Sequence, residues 1–283
     1  MDLPLDLSIE SLEGQLYLGH INSPCSYLPG RDSSLMFLDG RGIGQLYRLM
    51  LDRGYRRHGN HLYRPDCGAC SECQVLRIPT EDFAPTRSQR RVFKRGQSAF
   101  RYEVGPTEYT PEKLALYERY LAHQHARPPV APQQQSDDPS AHADAASAGS
   151  EPESDAKASA NANGEGSLSE NSYREFFVDS FLGAGTSELR LYVDDRLAGV
   201  AILDRAGDAL SAVYFYFEPD FARLSPGTYA ILLELELARE WGLKWFYPGY
   251  FIRDCPAMSY KQNFGPHEIR VPGESVWKAS KRT

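Results

Sequence analysis

The chain has 283 residues, 41% of them hydrophobic and 12% aromatic, which is enough for one or two domains with a sizeable core. It has no apolar run of about 18 residues to span a bilayer. Met1-Asp2-Leu3-Pro4 also lacks the basic flank and apolar stretch of a signal peptide, so a cytoplasmic protein with no membrane partner is expected. The formal charge of -7 is uneven: residues 128–172 hold eight acidic side chains against one basic, which leaves the remainder neutral. Within that remainder Arg41 to Arg101 carries thirteen basic residues against five acidic. Such an excess attracts phosphate, although a solvated basic face would have the same composition.

Apolar spacing predicts a helix over Arg41 to Arg53, ended by Gly54, and then an approach segment from Tyr55 to Pro65. A tight turn with three cysteines follows, and Val75 to Pro79 leaves it as a short strand. Ser88 to Gly96 is expected to be helical, with Arg87, Arg91 and Lys94 on one side. A helix over Pro111 to Gln124 precedes residues 128–171, where alanine, serine, proline and acids dominate, with no aromatic and one leucine, Leu168. That stretch cannot bury enough apolar surface to offset its ordering entropy and is expected to be a disordered insertion. Beyond it come a helix from Ser172 to Leu182 and three strands, the first carrying Leu189, Leu191 and Val193, then Leu197 to Leu203 and Leu210 to Phe217. A helix over Thr228 to Trp241 should turn Ile231, Leu235, Ala238 and Trp241 inward and Glu234, Glu236, Arg239 and Glu240 mostly outward. Lys244 to Tyr247 is the next strand. Two helices, three antiparallel strands, a helix and a further strand follow the order of the GNAT acyltransferase fold. The expected class is therefore α+β: an N-terminal Cys-containing basic domain over residues 1–105 and a GNAT-like mixed-sheet acyltransferase domain over 106–283.

Cys67, Cys70 and Cys73 stand in two successive C-x-x-C steps, and Cys25 lies upstream. Four thiolates suffice for a closed zinc site or an iron-sulfur cluster, and four small buried or redox-sensitive residues would show the same spacing. Cys255 is expected to be a packed thiol. No G-x-S-x-G elbow, Cys/His signature or Walker A loop is present. Acyl transfer from an already activated donor needs positioning and oxyanion stabilisation more than a covalent intermediate. Ser225-Pro226-Gly227-Thr228 precedes the long helix, where free backbone N–H groups suit a phosphate or oxyanion. Tyr247, Tyr250, Phe251, Tyr260 and Phe264, with Arg253 and Lys261 among them, serve either as core or as stacking faces for unpaired nucleotides.

Cys25-Ser26-Tyr27-Leu28-Pro29, Gly54-Tyr55-Arg56-Arg57, Tyr63-Arg64-Pro65 with the cysteine run, Arg77-Ile78-Pro79, Arg87-Ser88-Gln89-Arg90-Arg91, and Gly227-Thr228-Tyr229 leading to Tyr247-Pro248-Gly249-Tyr250 resemble the bacterial aspartate/glutamate leucyltransferases. These are relatives of the arginyl-tRNA:protein arginyltransferases, and the resemblance spans nearly the whole chain except residues 128–171. It implies a tRNA-dependent aminoacyltransferase of the N-degron pathway. Leucine would move from leucyl-tRNA to the N-terminal amine of proteins beginning with Asp or Glu, and the chemistry would require no cofactor. Where the eukaryotic relatives carry a C-x-x-C pair this chain has the single Cys25, so a metal at Cys25, Cys67, Cys70 and Cys73 does not carry over directly. The expected tRNA contacts are Arg56, Arg57, Arg87, Arg90, Lys94, Arg95 and Thr228. Arg77 or Arg91, with Lys261, would pair with the acceptor's acidic side chain, beside Tyr247 and Tyr250. The alternatives are arginyl-tRNA as donor, an acetyl-CoA-dependent enzyme, for which Ser225-Pro226-Gly227-Thr228 is a poor pyrophosphate loop, and a non-catalytic tRNA-binding or redox-sensing module.

Overall fold

The computed structural model describes residues 9–126 and 168–280. A short helix α1 (Ile9–Leu16) leads into β1 (Tyr17–Pro24) and β2 (Asp32–Asp39), followed by a 3-10 turn and α2 (Tyr47–Asp52). The hairpin of β3 (Arg56–His58) and β4 (His61–Pro65) comes next. Together these strands make an antiparallel four-stranded sheet in the order β1-β2-β4-β3. The chain then passes through the cysteine turn into β5 (Gln74–Pro79), α3 (Arg87–Ala99), β6 (Arg101–Gly105) and α4 (Pro111–Ala126). After the undescribed stretch come α5 (Glu170–Tyr173), continued by a π-turn over Arg174–Val178, and the meander β7 (Thr186–Val193), β8 (Arg196–Ala206) and β9 (Ala209–Phe217). The last elements are α6 (Pro226–Glu240), β10 (Trp245–Tyr247), β11 (Tyr250–Phe251), α7 (Pro256–Ser259), β12 (His267–Arg270) and β13 (Lys278–Ser280).

The second sheet has nine strands in the order β13-β12-β5-β10-β9-β8-β7-β6, with β11 beside β5. It is mixed: β10 runs parallel to β9, and the other pairs are antiparallel. Local chemistry explains its turns. Asp194 and Asp195 both take positive φ, 47° and 63°, the geometry of a two-residue hairpin that matches strand twist. Thr86 and Gln89 close a capping box at the start of α3, satisfying two orphan N–H groups.

Period-two alternation then sorts the core into two layers. Leu189, Leu191, Ala201 and Leu203 face the layer under α6 and α3, with Leu76, Ile78 and Phe246. Val200, Ile202, Tyr214 and Tyr216 face an aromatic layer under α4 and α5, with Tyr117, Tyr173 and Phe177.

Several expectations change. The helix over 41–53 shrinks to the 3-10 turn and α2, and the approach segment 55–65 folds into the β3–β4 hairpin. The helix expected over 172–182 is the short α5 and its π-turn. Residues 128–167 lie outside the described residues; of the expected insertion, only residues 168–171 are described, and α5 already begins at Glu170. A division at residue 105 does not follow the sheets, because β5 and β6 both pair inside the nine-stranded sheet.

Candidate active site

The parallel pairing of β10 with β9 stops at Tyr247 and Ser211, while β9 runs on to Phe217. Pro248 ends it, having no N–H to donate to a ladder. Gly249 follows at φ 101°, a conformation favouring glycine, and the chain moves over to pair as β11 with β5 at Tyr250 and Val75. A solvent-open cleft lies in the space so created, lined by Ala212 to Phe215 of β9, Pro248, Gly227, Ala230, Ile231 and Glu234 of α6, and Tyr260 and Lys261. Its walls are mostly apolar, with one carboxyl, Glu234, and one ammonium, Lys261, among them. Lys261 is 1% exposed, and its ammonium donates to the Tyr250 carbonyl at 3.0 Å.

Helix α6 reaches the cleft with its first turn. Ser225 before it takes φ 56°, and Pro226 occupies the first helical position, where a missing N–H costs nothing. Gly227 lines the cleft. The Thr228 hydroxyl is buried with no hydrogen-bond partner.

Glu234 was expected on the outer face of this helix, but it is 2% exposed. The amphipathic assumption fails because α6 is buried along almost its whole length from Pro226 to Ala238, with α3 on one side and the sheet on the other. The continuous apolar run Tyr229-Ala230-Ile231-Leu232-Leu233 is the sequence signal, since a helix apolar on every side is a buried one. Burial pushes the Glu234 carboxyl up to about 8.

The basic helix lies against α6. Gln89, Val92 and Gly96 are its buried positions, which leaves Arg87, Arg90, Arg91, Lys94 and Arg95 exposed. Arg95 donates to the Ser225 hydroxyl at 3.0 Å, and Arg90 to the Pro85 carbonyl at 2.6 Å. One row of cations thus runs beside the start of α6.

Other expected residues are placed differently. Arg56 and Arg57 are not on a tRNA-facing surface: they are 3% and 2% exposed, because β3 packs its side chains against the large sheet. Arg57 pairs with Asp204 at 2.7 Å, both side chains fully buried, and Arg56 lies over the rings of Tyr247 and Tyr250. Arg77 is not a free cation for a substrate carboxylate. It pairs with Asp52 at 3.0 Å and Glu268 at 2.6 Å, and its guanidinium sits 3.8 Å from the ring centres of both Trp245 and Trp277. Tyr247 and Tyr250 are buried, and their hydroxyls donate to Asp52 at 2.5 Å and to the Gly54 carbonyl at 2.6 Å. Both are packed in the core, with Arg56 over their rings, and do not offer stacking faces.

Cys25, Cys67, Cys70 and Cys73 line a second hollow. The Sγ of Cys25 accepts from the Leu28 N–H, that of Cys67 from the Ser34 N–H, and that of Cys70 from Arg31, each at 3.4 Å. Among the described residues no group of three or more His, Cys, Asp or Glu side chains is placed to hold a metal ion. The four thiols share one wall, and no step of the chemistry below runs through them. Cys255 is buried, as expected, and burial raises its thiol.

Comparison with known proteins adds to this geometry. Residues 23–91 match the family model described as arginine-tRNA-protein transferase, N terminus, and residues 156–271 match the one described as arginine-tRNA-protein transferase, C terminus. The chain is 34% identical to an aspartate/glutamate leucyltransferase of Hahella chejuensis, over 88% of this chain and 91% of that one. It is 36% identical to the protein of the same name from Chromohalobacter salexigens, over 86% and 85%. Among solved structures, L-PGS from Bacillus licheniformis is similar at a TM-score of 0.39 and 10% identity, over 73% of this chain and 50% of that one. The ribosomal-protein-S18-alanine N-acetyltransferase from Escherichia coli is similar at 0.28 and 14%, over 50% and 63%.

Proposed function

This chain belongs to the aspartate/glutamate leucyltransferases, and we propose that the cleft between β9 and β10 is where its leucyl ester meets the acceptor amine. The enzyme transfers leucine from leucyl-tRNA to the N-terminal amine of proteins beginning with Asp or Glu. The observation carrying the placement is the break in parallel pairing after Tyr247 and Ser211, which opens a cleft at the first turns of α6. Three antiparallel strands, a helix and a parallel strand are the order of a GNAT acyltransferase domain, and we read β7 to β10 as one.

Ala212, Val213, Phe215, Ala230 and Ile231 make a wall suited to an isobutyl side chain. A guanidinium would lose its hydration against that wall, so the wall favours leucine over arginine as the donor residue. The exposed row of α3 is the surface we assign to the acceptor arm, where cations release counterions from phosphate. Of the cations expected to read the acidic acceptor side chain, Lys261 is the one lining the cleft. An ester is already activated, so the transfer needs no cofactor. We place the reaction in the cytoplasm, with charged tRNA; among the described residues no helix is long and apolar enough to cross a membrane.

The test is transfer of labelled leucine, and separately arginine, from purified charged tRNA to a model protein beginning with Asp, Glu or Asn. Leucine should reach the Asp and Glu proteins alone and be lost when the tRNA is digested. Arginine transfer would overturn the donor assignment, and transfer from neither would overturn the activity.

A further inference from the structure

Four carboxylates are buried among the described residues: Glu188, Asp204, Glu218 and Glu234. Three of them meet a cation. Glu188 pairs with Lys113 and Arg190, Asp204 with Arg57, and Glu218 with Arg119 and Arg196. Glu234 has no such pair, its Oε2 has no hydrogen-bond partner, and it lines the cleft. An unpaired carboxyl in an apolar wall is costly, and leucine or methionine would fill its place better. Such costs persist at functional sites.

We propose that Glu234 is the base of the transfer: its carboxylate takes the proton that the attacking N-terminal amine must lose and returns it to the ribose oxygen that leaves. This rests on the reading of the cleft as the leucyl-transfer site. The neutral amine attacks the ester carbonyl, a C–N bond forms, and nitrogen becomes positively charged. Glu234 accepts one of its protons. As the tetrahedral centre collapses, the bond from carbon to the ribose oxygen breaks and that oxygen takes the proton from Glu234. The products are a peptide bond and an uncharged tRNA end, and Glu234 is a carboxylate again.

The strength of the base suits the task. Burial raises its pKa to about 8, near the α-amine value of about 8, and proton transfer is efficient between groups of matched strength. Tyr214, Tyr260 and Lys261 line the cleft with Glu234, and the elements packed against α6 also carry Tyr216, Tyr247, Asp220, Arg223 and the α3 cations Arg87, Arg90, Arg91, Lys94 and Arg95. None of these contributes to the shift, which burial alone causes.

The experiment is single-turnover transfer of leucine from leucyl-tRNA to a protein beginning with Asp, with the acceptor below saturation, across about pH 6 to 9. In the wild type two protons must leave, one from the amine and one from Glu234, so log rate should rise with a slope near two below about pH 8. Glu234→Gln should lower the rate about 10²-fold or more and reduce the slope to one, with unchanged leucyl-tRNA affinity. Glu234→Asp should keep the slope of two at an intermediate rate, and it carries the test if the Gln variant does not fold. Wild-type rate in Glu234→Gln, or a slower rate that keeps the slope of two, overturns the role of base and leaves the activity standing. A wild-type protein that moves no leucine overturns the underlying reading instead.

Discussion

Asp204 and Glu234 are both buried carboxylates beside the same sheet, and their surroundings could hardly differ more. Asp204, on β8, accepts from the Arg57 guanidinium and the Thr186 hydroxyl, each at 2.7 Å. Through Arg57, which also donates to the carbonyls of Gly59 and Asp179, it fastens the four-stranded sheet to the nine-stranded one. Glu234 lines an open cleft and meets no cation. A buried charge with a partner can hold two layers in register, whereas one without a partner makes its element less stable and is free to exchange a proton.

The largest expected effect tests the first half of that contrast. Arg57→Ala strands Asp204 in the core, and losing one partner of a buried pair costs about 3–5 kcal/mol. Denaturant unfolding should register the loss, while Glu234→Gln should be neutral or stabilising. Equal losses in the two variants would end the distinction between joint and cleft.

A second measurement sharpens the comparison through pH. His58 sits at the joint side, packed 4.6 Å from Phe176 ring to ring, and burial pushes it down to about 4, helped by His61 and Arg57. Its folded pKa lies below the unfolded value, so its contribution is fully present above about 6.5 and is lost as pH falls through about 4, amounting to roughly 3 kcal/mol. Glu234 acts with the opposite sign. Its folded pKa is raised from 4.5 to about 8, so stability falls as pH rises through that interval. His58→Leu should flatten the acid limb of the stability profile, and Glu234→Gln the upper limb. If either substitution leaves its own limb unchanged, that group does not titrate as its surroundings require.

Much of this contrast was hidden from sequence, and the reasons are physical. The strands β7 to β9 and the helices α3 and α6 are legible because period-two and period-3.6 patterns reflect faces set by neighbouring residues. The β3–β4 hairpin leaves one local mark in the sequence, Gly59-Asn60 at its turn. Arg77 reads locally as an available cation, yet Glu268 lies 191 residues away in sequence, and nothing near Arg77 announces it. The same holds for Arg57 and Asp204. Glu234 reads as outward because a charged residue on a mostly apolar helix is normally solvated, and what removes that solvent is β9 with Pro248, Tyr260 and Lys261, none of them near it in sequence. The cysteines are legible as a group that shares one wall.

The smallest expected effect concerns how α3 is seated on α6, and hence where its cations stand relative to the cleft. Gly96 allows the two helices to touch: a Cβ there would lie 2.1 Å from Cδ2 of Tyr229. Tyr229 has little room to yield, since its ring is stacked on Phe100 at 5.2 Å and tilted against Phe93 at 5.7 Å. Overpacking of this kind costs about 1–3 kcal/mol, and the better helix propensity of alanine returns up to about 1. Gly96→Ala should therefore lose about 1–2 kcal/mol in denaturant unfolding. The shifted helix should also weaken leucyl-tRNA binding several-fold and leave the rate at saturating leucyl-tRNA unchanged, because the chemistry resides in the cleft and the grip in the row Arg87 to Arg95. A fall in the saturated rate with unaltered affinity would assign α3 to the chemistry and remove the separation between the surface that holds the tRNA and the carboxylate that serves the reaction.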